Sequence, residues 1–197
     1  AMDMNTMIVC YGAPEWFRTV AMYAELGDFY NLPSWGTAGS TDARVINSQA
    51  GMEAYEGIMM ALLSSSTMVH DVGYLGHGEV YHPGMLVLTK TMIDRARFLL
   101  KEPDLSENAL ALEVINHVSR HKGYLYLAHA HAAENFKSAL WLAPRYFEKG
   151  YMEDWDANRF QDQLTKEANR ILDSAQPDLL SEDQIRRIDR TVDEIKQ

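Results

Sequence analysis

The chain has 197 residues, 47% of them hydrophobic and 23% charged, and its 18 Lys+Arg against 28 Asp+Glu give a formal net charge of −10. That balance suits a globular chain with a real core and argues against disorder, while the negative charge and the lack of any Lys/Arg run oppose the phosphate neutralisation that nucleic-acid or anionic-membrane binding requires. No apolar stretch approaches the ~20 residues of a membrane span, the start Ala1-Met2-Asp3-Met4 has no export signal, and the lone Cys10 rules out an internal disulfide, so the expected setting is the cytoplasm.

In chain order, the first β-like run is 6–11, closed by Gly12. Pro14 then sits at a favoured first-turn position for a helix over 15–26, with Trp16, Val20, Tyr23 and Ala24 on one face. The second run is 32–35, followed by a glycine-rich polar loop over 36–42. A long helix over 43–63 comes next, since Ile46, Ala50, Ala54, Ile58, Ala61 and Leu62 recur at helical spacing. The third run, 67–72, ends at Gly73 and leads through 74–79 to a helix over 83–100 with Leu86, Ile93, Ala96 and Leu100 on one stripe. Three successive strand–helix units predict parallel pairing with right-handed crossovers under a helical cover, which is the α/β class. Beyond Pro103 the pattern turns mainly helical. Segments 110–118, 156–172 and 181–195 read as helices, Ser106 and Ser181 stand as caps before acidic first turns, and 174–177 reads as a short hinge. The expected organisation is βα units over 1–103 and a helical extension over 104–197.

Ligands of parallel α/β folds gather beyond the carboxyl ends of the strands, which selects three loops, 11–15, 35–42 and 70–79. Together they hold Tyr11, Trp35, Asp42, His70, Asp71, Tyr74, His77 and Glu79, and six of the twelve glycines. Aromatic faces beside carboxylates are what a desolvated organic cation needs, because ring quadrupoles attract it and carboxylates add a longer-range field. A quaternary ammonium is the candidate ligand. Each residue also has a plainer reading: Trp35 as a core aromatic, Asp42 as a helix N-cap, His70 as a core histidine. Asp71, emerging at the end of a central strand, must be solvated, paired or functional. His77, His82, His129 and His131 raise the question of a metal, with His129 and His131 on one face of an extended segment. No helical His/Glu motif or paired-cysteine spacing supports it, and no metal is assigned. Nucleophile-elbow and dinucleotide patterns are absent, and the eleven methionines read as core filler.

Several of these segments resemble the C-terminal part of the trimethylamine methyltransferase family. They are Met2-Asp3-Met4-Asn5-Thr6 with Tyr11-Gly12-Ala13-Pro14-Glu15, then Leu32-Pro33, Gly36 to Arg44, Ser48 to Glu53, and Val69-His70-Asp71-Val72-Gly73 with Tyr74-Leu75. Weaker agreement runs from His131 to Pro144. The likeness covers residues 2–175 and is most specific over 41–53. It implies a TIM barrel, of which this chain would hold the last three or so βα units and the helical extension, without the N-terminal half. It also implies transfer of a methyl group from a small methylated amine to a corrinoid carried by a partner protein, with no cofactor bound directly.

Archetypal members use pyrrolysine, whereas this chain consists of standard residues and resembles the members associated with quaternary amines such as glycine betaine. The resemblance assigns no catalytic residue here. The candidate substrate-binding residues are Trp35, Asp42, His70, Asp71 and Tyr74: Trp35 and Tyr74 flanking the ammonium, Asp71 and Asp42 tuning charge or holding the loops, and His70 orienting Asp71 or meeting a substrate carboxylate. The rival expectation is a non-catalytic half-barrel that pairs with its missing half or with a second copy to cover its strand edges. A homo-oligomer is therefore expected.

Overall fold

The first half of the chain contains a two-stranded parallel sheet. In a computed structural model that describes residues 1–64, 66–149, 156, 158–175 and 180–196, β1 (Trp35–Thr37) pairs with β2 (Met68–His70), Trp35 lying beside Met68 and Thr37 beside His70. These are the second and third expected runs, but β1 begins at Trp35 where the sequence reading ends it. Pro33 has no N–H to give to a ladder, so pairing starts only where the Ser34 carbonyl accepts from Met68 N at 3.1 Å.

The first expected strand does not join this sheet. Residues 1–10 instead fold back on themselves through a Met2–Val9 bridge, with Asp3 N donating to Ile8 O at 2.9 Å and Cys10 N to Ala1 O at 3.1 Å. The Asp3 carboxylate directs the turn by accepting from Thr6 Oγ1 (2.5 Å) and Thr6 N (3.1 Å). A second small sheet, an antiparallel hairpin of β3 (Tyr74–Leu75) and β4 (Val80–Tyr81), follows β2 where the sequence reading placed only a loop. It reverses through a 3₁₀ turn, Gly76–Gly78, in which Gly76 and Gly78 take φ of 55° and 92°.

Helices cover one side of the parallel sheet. Helix α1 (Pro14–Phe29) buries Phe17 and Ala24 and leaves Tyr23 exposed, so its inward face is rotated from the expected one. The cause is Gly57 of α2, where a Cβ would stand 3.0 Å from Phe17 Cε1; the missing side chain lets the Phe17 ring settle between the helices. Helix α2 (Ser48–Leu63) starts five residues later than its periodicity suggests, because the Asn47 side chain caps it by accepting from Ala50 N at 2.9 Å. Ala50, Ala54 and Ile58 are buried as expected.

Helix α3 (Pro83–Leu99) packs against both α2 and a later helix over Arg159–Ser174, and therefore buries Met85, Leu88, Thr89, Met92 and Ala96 on more than one face. A single stripe does not describe it, and Leu86 and Leu100 lie outside the core.

The second half is helical in all its described elements except short turns. The helix expected over 110–118 is two helices, α4 (Glu107–Leu110) and α5 (Leu112–Arg120), broken at Ala111 with φ +48°. Helix α6 (Ala130–Ala139) falls where the sequence reading saw an extended segment. Helix α7 (Arg159–Ser174) lays Leu164 and Ala168 onto the core. Helix α8 (Glu182–Ile195) opens with a capping box between Ser181 and Gln184. Residues 176 and 177 of the expected hinge lie outside the described residues. Among the described residues no helix is long and apolar enough to cross a membrane.

Candidate functional site

The three loops selected from the sequence meet. Backbone bonds zip the loop after β1 to the one after β2: Ala38 N to His70 O (3.2 Å), Gly73 N to Gly39 O (3.0 Å), Thr41 N to Tyr74 O (3.1 Å), Gly76 N to Ala43 O (2.9 Å) and His77 N to Thr41 O (3.1 Å). Asp42 ties in the first loop, its two carboxylate oxygens accepting from Tyr11 N at 2.8 Å and Gly12 N at 3.0 Å.

Beneath this junction lies Glu53 of α2, 8% exposed. Its carboxylate accepts from Thr41 Oγ1 (2.5 Å), Asp42 N (2.8 Å) and Gln49 Nε2 (2.8 Å). A buried carboxylate is tolerable only with donors of this kind around it. The Tyr11 ring stands edge-on to Trp16 at 5.6 Å, and Trp16 Nε1 donates to Thr37 Oγ1 at 2.8 Å, fastening the start of α1 to the end of β1.

Alternation along the strands sets Trp35, Thr37, Met68 and His70 on one face of the sheet. On the other face a Cβ at Gly36 would meet Val20 of α1 at 2.7 Å, so that face is the one the helices cover. The first face is open: Trp35 is 71% and Met68 59% exposed. On it the His70 ring lies edge-on to the Trp35 indole, with centroids 5.1 Å apart, and His70 Nδ1 is 2.8 Å from Asp71 Oδ1. A carboxylate at neutral pH only accepts, so Nδ1 carries the proton of that contact. Asp71 has φ +66°, a left-handed conformation that Asp adopts more readily than most side chains.

Side-chain contacts thus join three of the five candidate residues, Trp35, His70 and Asp71. The carboxylate of Asp42 is engaged by backbone amides, and the ring of Tyr74 pairs with Tyr81 at 5.9 Å. Trp35 stands at the amino end of β1, not its carboxyl end, and reaches His70 diagonally across the ladder. An apolar groove of about 650 Å³ between α3 and α7, lined by Leu86, Val87 and Ile171 among others, lies apart from these loops.

Two of the four histidines considered for metal serve as helix caps. His82 and His129 cap α3 and α6 by accepting from Gly84 N (3.0 Å) and His131 N (3.2 Å), which corrects the extended reading of His129 and His131. Among the described residues no group of three His, Cys, Asp or Glu could hold a metal ion. Sequence reasoning gave no role to Glu53. The available signal was an acid three residues after Ala50 and four before Gly57, on the face of α2 that turns inward.

Parallel strands covered by helices on one face, with an indole, an imidazole and a carboxylate gathered on the other, define an α/β protein. A family model described as trimethylamine methyltransferase (MTTB) matches residues 1–196, and the chain belongs to that family. It is 25% identical over 181 residues to the trimethylamine methyltransferase MttB of Desulfitobacterium hafniense (strain DSM 10664 / DCB-2), covering 92% of this chain and 36% of that protein. It is 26% identical over 190 residues to MttB of Methanosarcina barkeri (strain Fusaro / DSM 804), covering 96% and 37%. The glycine betaine methyltransferase of D. hafniense (strain Y51) is 23% identical over 160 residues, covering 81% and 33%. The chain therefore spans about a third of the length of these curated relatives.

Proposed function

We propose that this chain supplies the amine-binding part of a corrinoid-dependent methyltransferase acting on a quaternary or tertiary methylamine such as a betaine. The observation that carries the reading is the contact chain Trp35–His70–Asp71 on the open sheet face. An indole face attracts an ammonium through its quadrupole. Asp71 adds negative charge beside it, and its bond to His70 Nδ1 leaves Nε2 to meet a polar substituent of the amine. Tyr74 and Asp42, on the neighbouring loops, complete the proposed binding residues, with Asp42 acting by holding the first loop in place.

A quaternary nitrogen needs no proton to leave. The C–N bond breaks, nitrogen keeps the electron pair as a tertiary amine, and the methyl carbon passes to the acceptor. A corrinoid on the partner protein would supply the nucleophile for that transfer. The task left to these residues is to orient the amine and shed its water. In this reading β1 and β2 with their helices are neighbouring units of a TIM barrel whose interior is the face bearing Trp35, Met68 and His70, and the helices beyond residue 103 form the extension packed on it. The setting is cytoplasmic.

The exposure of Trp35 and Met68 equally favours the rival half-barrel, which would act by self-association, since an open face with apolar members favours a cover. A methyl-transfer assay with glycine betaine or trimethylamine and a corrinoid protein, run beside sedimentation analysis, separates the two. Turnover supports the enzyme; an obligate oligomer without turnover supports the rival.

A further inference from the structure

We propose that Glu53 is the positioning residue of the amine site, the group that holds the three loops in register. This rests on the functional reading above and adds to it a residue that touches no substrate.

Glu53 reaches each loop through hydrogen bonds, directly or by one intervening residue. Through Thr41 Oγ1 and Asp42 N it grips the loop after β1. The gripped Asp42 then presents both carboxylate oxygens to Tyr11 N and Gly12 N of the first loop. The gripped Thr41 donates its N–H to Tyr74 O and accepts at its own carbonyl from His77 N, both in the loop that begins at Asp71. Gln49, one turn earlier on α2, donates 2.8 Å to the other Glu53 oxygen and fixes the rotamer.

Helix α2 is anchored independently by its Asn47 cap and its buried Ala50, Ala54 and Ile58. Glu53 is therefore a fixed post to which the loop backbone is tied. Gly12 shows how tightly it is tied: a Cβ there would stand 2.2 Å from Glu53 Oε2 and 2.3 Å from Cδ. Residue 12 must lack a side chain for the first loop to come this close, so Gly12 and Glu53 act as a pair. Nothing in the core requires an acid at position 53, whose neighbours along the buried face are Ala50, Ala54 and Gly57.

The test compares the unaltered chain with Glu53→Gln, which keeps the volume but replaces one accepting oxygen with a donor, and with Gly12→Ala, Glu53→Ala and the double variant Gly12→Ala/Glu53→Ala. Two readouts are taken: amide hydrogen exchange at Tyr11 and Gly12, and the affinity for tetramethylammonium chloride by calorimetry. Glu53→Gln is expected to speed exchange at Tyr11 and Gly12 by about tenfold, leave α2 interior amides unchanged, and weaken tetramethylammonium at least threefold with the melting temperature little altered. Gly12→Ala is expected to do the same or worse, and removing the Glu53 carboxylate in the double variant to cost less than the sum of the single changes.

Unchanged exchange at Tyr11 and Gly12 in Glu53→Gln, or unchanged tetramethylammonium affinity in a variant whose exchange has risen, overturns the proposal. Failure of the unaltered chain to bind tetramethylammonium would instead count against the functional reading, and the exchange comparison would still decide whether Glu53 holds the loops.

Discussion

His70 joins Trp35 to Asp71: its ring meets the indole edge-on at 5.1 Å while its Nδ1 reaches the carboxylate at 2.8 Å. The aromatic, the imidazole and the acid are consecutive links of one contact chain, although 35 residues of sequence separate the first two. A change to any link should be felt at the others.

The Asp71 link separates charge from conformation. Asp71→Asn keeps a side chain that tolerates φ +66° and should leave the fold stable while weakening ammonium binding. Asp71→Val places a β-branched residue in the same conformation and should destabilise the chain by about 1–3 kcal/mol. Urea denaturation of both variants, paired with calorimetric titration, checks the difference; equal stability of the two would contradict it.

The α1–α2 crossing offers a test away from the site. Gly57→Leu drives a side chain into the Phe17 ring, which a Cβ alone would already meet at 3.0 Å. Overpacking of this kind should cost about 1–3 kcal/mol, read as a lower denaturation midpoint. Gly51→Ala on the same helix, with nothing within 4 Å, should be neutral or stabilising.

Tyr146 ties the segment before α7 to α3, its hydroxyl in contact with Thr91 Oγ1. Burial pushes its pKa above the ordinary 10.0; the Thr91 bond opposes the shift and the charge of Glu167 adds to it. A folded-state pKa raised above the unfolded one means the stabilisation is complete below pH of about 10 and is lost as pH climbs through the higher folded value. Between pH 9 and 11 the native chain should therefore lose more stability than Tyr146→Phe. At pH 8 that variant should be weaker by about 0.5–1.5 kcal/mol. Urea midpoints across that range give the comparison.

Helix periodicity and caps carried much of the fold. Ala50, Ala54 and Ile58 recur at a spacing only a helix satisfies, and Ser181 announces α8 because an N-cap is a local chemical requirement. Strand ends and the α1 face were less legible, because they are set by partners distant in sequence. Whether residues 6–11 join a sheet depends on what lies beside them, and Asp3 bends them back. Phe17 turns inward only because residue 57, forty positions on, has no side chain. The meeting of the loops after β1 and β2 followed from strand order, a general property of parallel sheets, whereas the first loop follows no strand of that sheet and is brought in by Asp42. Glu53 stayed hidden because an acid on a helix reads as solvent-facing until the loop donors above it are placed.

Trp35, on the open face beside His70 and Asp71, is proposed to bind an organic cation. The decisive measurement is calorimetric titration of tetramethylammonium chloride into the native chain, Trp35→Ala and Trp35→Phe. An exposed cation–π contact is worth about 0.5–1 kcal/mol, so Trp35→Ala should weaken binding about two- to fivefold, more if the face is covered, with Trp35→Phe in between. Identical affinity in all three would contradict the account.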